Sequence, residues 1–373
     1  MTRTIVFRVD ASVHIGTGHV MRCLTLASAL RGQDHACHFI CREHPGNLIE
    51  TIRHRGFPVD ALPLSGDRAG VTSGDEPPHA EWLGVPWETD ARQCREIIRE
   101  LAPAWLVVDH YALESRWEAD VMPEGSRLLV IDDLADRSHQ ADLLLDQNLG
   151  RETQDYAGLV PKNCRLLIGP RYALLRPEFL RMREESLRRR QAPRLKRLLI
   201  TMGGVDKDNA TGKVLEALRD CPLPDDAEIE VVMGSNAPWL ESVRAQAAAM
   251  PWPTGVRVDI PDMSRRMVEA DLAIGAAGST SWERCCLGLP TLQVILAENQ
   301  RVVASHLEKR NAAMSLDSVN NFASQLCDAV LRLAADCGAM KEMTLDAARL
   351  VDGQGCVRVL EALLHPKKQH LSR

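Results

Sequence analysis

The sequence predicts an α/β protein of two domains, each built on a parallel sheet with helices on its faces. Three observations point there. Short apolar runs alternate with longer helical patterns along nearly the whole chain, the order that crossover-connected parallel strands require. The alternation breaks at a charged, proline-containing segment near residue 190 and then restarts. In both halves, apolar runs end in glycine-rich turns, the place where open α/β sheets take their ligands.

Length and composition agree. The 373 residues exceed what one core usually holds. With 45% hydrophobic and 26% charged residues the chain reads as an ordinary soluble globular protein. Its net charge of −6, with the basic residues dispersed, removes an electrostatic case for nucleic acid. The 11 cysteines are scattered, without CxxC pairs, as expected of reduced thiols used as small core hydrophobes in the cytoplasm. No apolar run reaches the roughly 18 residues of a membrane span, and the first residues form a β-like run rather than a leader.

In the first half the strand candidates are residues 4–10, 36–42, 104–111, 127–133, 141–147 and 165–169. The stretch "HVMRCLTLASALRG" (19–32) carries apolar residues at 20, 24, 27 and 30, one face of a helix, and Gly32 is a stop signal. Residues 65–89 are rich in glycine and proline and read as a long surface loop with no assignable motif. The basic run "RMREESLRRRQAPRLKR" (181–197) reads as a solvated helix end plus linker. The boundary is placed there, giving domains 1–190 and 191–373. The second half repeats the pattern with strands at 197–204, 228–235, 270 onward and 291–300.

The turns carry the chemistry. "IGTGHV" (15–20) spends Gly16 and Gly18 around Thr17 at the start of a helix. Glycines let backbone approach a ligand, and the helix that follows offers free N–H groups and a positive dipole end suited to phosphate. The motif is shorter than a dinucleotide fingerprint. His19 beside it is either a structural histidine or a general base kept neutral by the helix end. "TMGGVDKDNAT" (201–211) pairs Gly203 with Gly204; its Asp206 and Asp208 could hold a metal but fit helix N-capping better. In "GAAGSTSWE" (275–283) small residues up to Ser279 clear space at a strand end. Glu283 could there accept two ribose hydroxyls, or simply complement the helix dipole. "AENQ" (297–300) places the amides of Asn299 and Gln300 beyond the fourth strand, and "DHY" ends a first-half strand with Asp109, His110 and Tyr111, at least one of them structural. The tract "HACHFICREH" (35–44) is not a metal site, because strand alternation splits Cys37 and Cys41 from His38. No metal ligand set or cofactor motif is found.

These motifs, "RVDASVHIGTGHVMRCLTLA", "DHY", "GPRYALLRPEF", "MGGVDKDN" and "GAAGSTSWERCCLGLPTLQVILAENQ", together resemble the UDP-2,4-diacetamido-2,4,6-trideoxy-β-L-altropyranose hydrolases of pseudaminic acid biosynthesis, a route to flagellin glycosylation. The match runs in order from residue 3 to about residue 314. "VDGQGCVRVLEAL" (351–363) looks like the C-terminal helix of longer members; the rest of 315–373 has no assignable motif. More remotely the chain is similar to the lipid-linked N-acetylglucosaminyltransferase of peptidoglycan synthesis. That relative implies a GT-B fold: two Rossmann-like domains facing across a cleft that takes a UDP-sugar.

The resemblance implies roles. His19 would activate water, with Tyr111 and Asn299 near the sugar or the water. Gly16, Thr17 and Gly18 would lie against the diphosphate and sugar. Met202, Gly203 and Gly204, with Ser235 and Asn236, would approach the uridine and diphosphate. Glu283 would take the ribose, beside Ser279, Thr280 and Gln300, and Arg171 and Tyr172 would line the cleft. The partner implied is a small UDP-sugar, with no metal or cofactor and a monomer or weak dimer. A GT-B glycosyltransferase and a non-catalytic nucleotide-sugar-binding subunit are the competing readings.

Overall fold

The computed structural model describes residues 2–64, 77–298, 300–316 and 321–365. The chain divides into two compact units. One comprises the residues up to Leu174 together with the segment from Gly355; the other is Leu175–Gln354. The division therefore lies about 16 residues before the boundary expected at 190, and the C-terminal helix rejoins the first unit.

In the first unit the elements run β1 (Thr4–Val9), α1 (Gly18–Arg31), β2 (Ala36–Arg42), α2 (Ile49–His54), β3 (Val59–Leu62), α3 (Trp87–Leu101), β4 (Trp105–Asp109), α4 (Ser115–Val121), β5 (Arg127–Ile131), β6 (Leu143–Asp146) and β7 (Arg165–Ile168). The described strands pair in the order β3-β2-β1-β4-β5-β6-β7, all parallel. β1 and β4 are therefore central, at the point where the winding reverses, and their ends coincide, Val9 lying opposite Asp109. Ile5, Phe7 and Val9 of β1 face a core shared with Val20, Leu24 and Leu30 of α1. Val6 faces the opposite core, with Ala91, Cys94 and Ile98 of α3 and Trp117 of α4. Strands buried on both faces must be apolar throughout, which is why they stood out in the sequence.

The alternation of β1 continues into charge. Arg8 and Asp10 follow Val6 on its face and are wholly buried. Arg8 donates to Asp10 at 2.6 Å and to Asp90 of α3 at 2.7 Å, Arg42 at the end of β2 donates to Asp90 at 2.6 Å, and the Trp117 indole donates to Asp90 at 2.9 Å. Burial alone would push the Asp10 carboxyl up; Arg8, His110 and His44 outweigh it and hold it well below the usual range. Each buried charge is compensated, the condition under which such a cluster is tolerated in a core.

The second unit runs α5 (Pro177–Arg189), β8 (Arg197–Thr201), α6 (Ala210–Arg219), β9 (Glu228–Met233), α7 (Leu240–Ala248), β10 (Thr254–Val258), α8 (Met263–Glu269), β11 (Leu272–Ala276), α9 (Thr280–Cys286), β12 (Thr291–Val294), α10 (Gln300–Lys309), β13 (Met314–Leu316), α11 (Phe322–Ala335) and α12 (Cys337–Leu350). Its sheet has the order β10-β9-β8-β11-β12-β13, again all parallel. The chain then returns to the first unit as α13 (Gly355–Leu364), whose Cys356, Val359, Leu360 and Leu363 join the core beneath α1. Gly355 is there because backbone approaches it: a Cβ would stand 2.3 Å from the Ala173 carbonyl oxygen.

Two expectations need correction. The basic run 181–197 is a helix end plus linker as expected, with Arg181, Arg188 and Arg189 exposed, but it is not solvated throughout. Most of it is the end of α5, and two of its arginines point inward one heptad apart. Arg190 donates to the carbonyls of Met267 (2.7 Å), Val268 (3.3 Å) and Ala270 (2.9 Å), the last turn of α8. Arg183 donates to Ala348 (2.7 Å), Val351 (2.9 Å) and Cys286, the ends of α12 and α9. Helix C-termini leave carbonyls unpaired and carry negative dipole ends, so a buried guanidinium satisfies both needs. Sequence shows the positive charge but not the three helix ends awaiting it. Likewise 65–89 is not loop throughout: a 3-10 turn spans Ala80–Leu83 and α3 begins at Trp87, while residues 65–76 lie outside the described residues.

Replacing Arg190 with methionine keeps the stem but leaves the α8 carbonyls unpaired. We expect a loss of about 2–4 kcal/mol in chemical denaturation; an unchanged midpoint would contradict the capping role.

Candidate functional site

The site is built from strand ends. In the first unit the β1–α1 connection is a tight loop. Ser12 accepts the Gly16 N–H through its carbonyl (2.8 Å), and its hydroxyl accepts the N–H groups of His14 (3.1 Å) and Ile15 (2.9 Å). Gly16 has φ +79°, a conformation that side chains disfavour. Thr17 precedes α1 without a side-chain cap, and the first turn from Gly18 contains no acid. Its N–H groups are thus offered outward with the positive dipole end uncompensated.

His19 is held from beneath. Its Nδ1 lies 2.9 Å from Asp109 Oδ1, at the end of the neighbouring strand β4. Arg22, one turn further along α1, grips the same carboxylate with two bonds of 2.7 and 2.6 Å, and reaches Asp133 beyond β5 at 3.0 and 2.8 Å. Tyr111 donates its hydroxyl to Asp133 at 2.7 Å, and its ring meets the His19 ring edge to face at 4.7 Å. Asp109 is fully buried. Burial would raise its carboxyl, but Arg22 and His19 prevail and hold it far below the usual range. Burial and Asp133 push the Tyr111 phenol well above its ordinary value, so it stays a donor. A permanently ionised carboxylate on Nδ1 fixes the proton there and leaves Nε2 as the basic nitrogen. No described residue hydrogen-bonds Nε2.

The remaining residues of "DHY" separate cleanly. His110 is structural: it accepts the Ala112 N–H at 3.0 Å and turns Nε2 to Asp10 at 3.2 Å, and burial lowers its pKa. Sequence reasoning placed Asp109 at this strand end without a role, and it left Arg22 and Asp133 out of the site. The available signals were an arginine three positions after His19 and acids closing two adjacent strands. Arg171 and Tyr172 stand apart, at the end of edge strand β7, three strands from β4. There Arg358 of α13 donates to the Arg171 carbonyl at 2.8 Å.

In the second unit three turns differ in what they leave free. Asp206 accepts the N–H groups of Ala210 (2.8 Å) and Thr211 (2.9 Å), and Asn209 that of Gly212 (3.2 Å), so α6 is capped by its own side chains. The capping reading of the DxD pair therefore holds for Asp206. Met202 is buried, while Gly203 is exposed with φ +91°. The turns after β8 and β9 touch: a Cβ on Gly234 would stand 2.2 Å from the Gly204 carbonyl oxygen. Ser235 and Asn236 follow, exposed, with the Ser235 N–H on Asp259 at 3.1 Å.

The turn into α9 lacks a side-chain cap as the one into α1 does, but its first helical turn carries Glu283. Ser279 gives no side-chain cap, and Thr280 opens the helix. The Gln300 amide nitrogen would come within 3.9 Å of a Cβ on Gly278, so this side chain leans towards the turn. Asn299 lies outside the described residues. Glu283, one turn into α9, is mostly buried and 3.6 Å from Arg176. Burial pushes its carboxyl up to about 7 against the opposing pull of Arg176 and Arg284.

Two parallel-sheet units with ligand-ready turns at their strand ends define a GT-B fold. Solved structures agree. MurG of Acinetobacter baumannii matches with a TM-score of 0.68 at 16% identity, covering 97% of this chain and 99% of that one. The spinosyn rhamnosyltransferase SpnG matches with a TM-score of 0.60 at 17% identity, covering 96% and 100%.

Among curated proteins, the chain is 26% identical over 309 residues to the UDP-2,4-diacetamido-2,4,6-trideoxy-β-L-altropyranose hydrolase of Campylobacter jejuni, covering 82% of this chain and 96% of that protein. It is 29% identical over 205 residues to the spore coat polysaccharide biosynthesis protein SpsG of Bacillus subtilis (55% of this chain, 59% of that protein). An uncharacterised protein of Methanocaldococcus jannaschii is 25% identical over 296 residues, 78% of this chain. The match spans little more than half the length of those last two relatives. No protein-family model matches. The resemblance read from the motifs thus extends along four-fifths of the chain.

Glu283 titrates near 7 in the folded chain against 4.5 as its ordinary value. Between those values the folded state binds the extra proton, so this group's stabilising contribution is present at low pH and is lost as pH rises through 7. A Glu283→Gln variant should match the parent at pH 4 and exceed it by up to about 3 kcal/mol at pH 8. Parallel stability–pH curves would refute the assignment.

Proposed function

We propose that this protein is an enzyme that hydrolyses UDP-2,4-diacetamido-2,4,6-trideoxy-β-L-altropyranose to UDP and the free sugar, in pseudaminic acid biosynthesis. The named activity of the Campylobacter relative supports the substrate class. The observation that carries the mechanism is the His19–Asp109 contact of 2.9 Å, which leaves Nε2 as the base.

In this reading Nε2 takes a proton from water as the oxygen attacks the anomeric carbon. The bond from that carbon to the diphosphate oxygen breaks, and UDP departs with the bonding electrons. The attack inverts the carbon. The imidazolium that forms is stabilised by the ionised Asp109 beneath it. Developing negative charge on the diphosphate is met by free N–H groups at helix starts, with Gly16, Thr17 and Gly18 on the α1 side. Gly203, Gly204, Ser235, Asn236, Ser279 and Thr280 line the uridine diphosphate, beside Met202, and Glu283 accepts the ribose hydroxyls. Tyr111 and Asn299 adjoin the sugar or the water, Gln300 supports the turn at Gly278, and Arg171 and Tyr172 form an outer edge. UDP leaves readily, so one base and an anion cradle suffice without a metal ion.

A second reading is favoured by the structural neighbours, since SpnG is named as a rhamnosyltransferase. A transferase would use Nε2 to deprotonate a sugar hydroxyl instead of water. One incubation separates the two. With EDTA, heavy-oxygen water and the UDP-sugar but no acceptor, hydrolysis puts label in the anomeric hydroxyl and none in UDP. Acceptor dependence supports the transferase, and label in UDP means attack at phosphorus. His19→Ala should lower kcat about 10²–10⁴-fold while UDP binding changes less than about threefold; undiminished turnover would remove His19 as the base.

A further inference from the structure

We infer that Trp82 and His79 form the wall of a subsite for the methyl-bearing substituents of the sugar, which makes them specificity-determining residues of the reaction proposed above. The inference rests on that reading for its substrate class, but its geometry is independent of it.

The wall is built on the 3-10 turn Ala80–Leu83. Leu83 and Val85 anchor it in the core over β4 and β5. Gly84, at φ +77°, ends it, where a Cβ would stand 2.8 Å from the His44 ring. Anchored so, the turn holds Trp82 stacked on Tyr111 with ring centroids 5.4 Å apart. His79 fills the corner, 4.6 Å from Trp82 and 5.5 Å from Tyr111. Tyr111 is the ring that abuts His19. Three aromatic side chains therefore continue outward from the base.

The arrangement exceeds what packing needs. Tyr111 is already 96% covered, being only 4% exposed, whereas Trp82 and His79 remain half-buried. They present apolar ring surface to solvent at one residue's remove from the reacting nitrogen. No described residue hydrogen-bonds the Trp82 indole N–H or the His79 ring nitrogens. A ligand there meets aromatic faces with polar edges. A hydroxyl-rich sugar loses hydrogen bonds to water against such a wall. A sugar bearing a 6-methyl and acetamido groups lays its methyls on the rings and offers amide oxygens to the N–H edges. Through Tyr111 the wall adjoins His19, so in the reaction proposed a pyranose held at Nε2 is placed beside it. One methyl group against an apolar surface discriminates about 10- to 200-fold.

The test uses the full chain and the variants Trp82→Leu, Trp82→Tyr and His79→Ala. Two substrates are compared, a UDP-2,4-diacetamido-2,4,6-trideoxyhexose and UDP-glucose, which has neither a 6-methyl nor an acetamido group. Saturation transfer from protein to the methyls of the free diacetamido sugar gives a readout that needs no turnover. Trp82→Leu should lower kcat/KM for the diacetamido substrate at least tenfold, mainly through KM. Activity on UDP-glucose and affinity for UDP should change less than threefold. His79→Ala should act in the same direction, and Trp82→Tyr should restore most of the loss. Methyl saturation should be strong in the parent and vanish in Trp82→Leu. Equal losses on both substrates, or unchanged methyl saturation, overturn the subsite. If the parent hydrolyses neither UDP-sugar but shows methyl saturation that Trp82→Leu abolishes, the hydrolase reading fails and the subsite stands.

Discussion

The first unit's site depends on one buried carboxylate. Asp109 closes the central strand β4 with no exposure, and α1 answers it with two side chains, His19 at 2.9 Å and Arg22 through two bonds. The turn before α1 has no side-chain cap of its own, so the carboxylate is what registers the helix start against the sheet. Arg22 continues the chain of contacts to Asp133, and Asp133 takes the Tyr111 hydroxyl. A buried anion costs several kcal/mol to desolvate unless it is multiply paired. The pairing that removes this cost also fixes the imidazole's orientation, so stability and chemical readiness come from the same bonds.

The same rule recurs elsewhere. Beneath the site Arg8, Asp10, Arg42 and Asp90 form a closed set of buried charges joining β1, β2 and α3. In the second unit no described acid forms an ion pair with Arg183 or Arg190. Helix-end carbonyls accept from both, and they hold α8, α9 and α12 against α5. Where helix starts are concerned the pattern divides: α6 spends Asp206 and Asn209 on its own N–H groups, while α1 and α9 leave theirs open. That contrast separates a glycine turn capped by its own side chains from two that have no side-chain cap.

Much of this was legible in the sequence. All ten strands expected in the two halves are present; β2 matches its expected bounds and the others are shorter, mostly where the apolar runs pass into turns. The helix expected at 19–32 is found at Gly18–Arg31 with Val20, Leu24, Ala27 and Leu30 buried. The strands not anticipated, β3, β10 and β13, are sheet edges. An edge strand is half solvated and need not be apolar; β10 reads "TGVRV" with alternate residues exposed. The domain boundary was misplaced for a related reason. Charge in α5 signalled solvent, yet the helix is packed along one side, and Arg190 at its end is buried by carbonyls more than 70 residues distant.

The sequence by itself determined the parallel α/β architecture, the glycine turns at the strand ends and His19 as the candidate base, because periodicity and local backbone demands are written in neighbouring residues. Only the tertiary structure decided what surrounds that histidine. Asp109 is 90 positions away and Asp133 further still, and nothing local distinguishes these acids from His110, which proves structural, or from Asp206, which caps a helix. The placement of Trp82 and His79 on Tyr111 was equally hidden, inside a stretch whose composition read as loop. Parallel strands bring their C-terminal ends to one edge whatever the sequence distance between them. The site assembles there from residues that share a sheet edge and no local pattern.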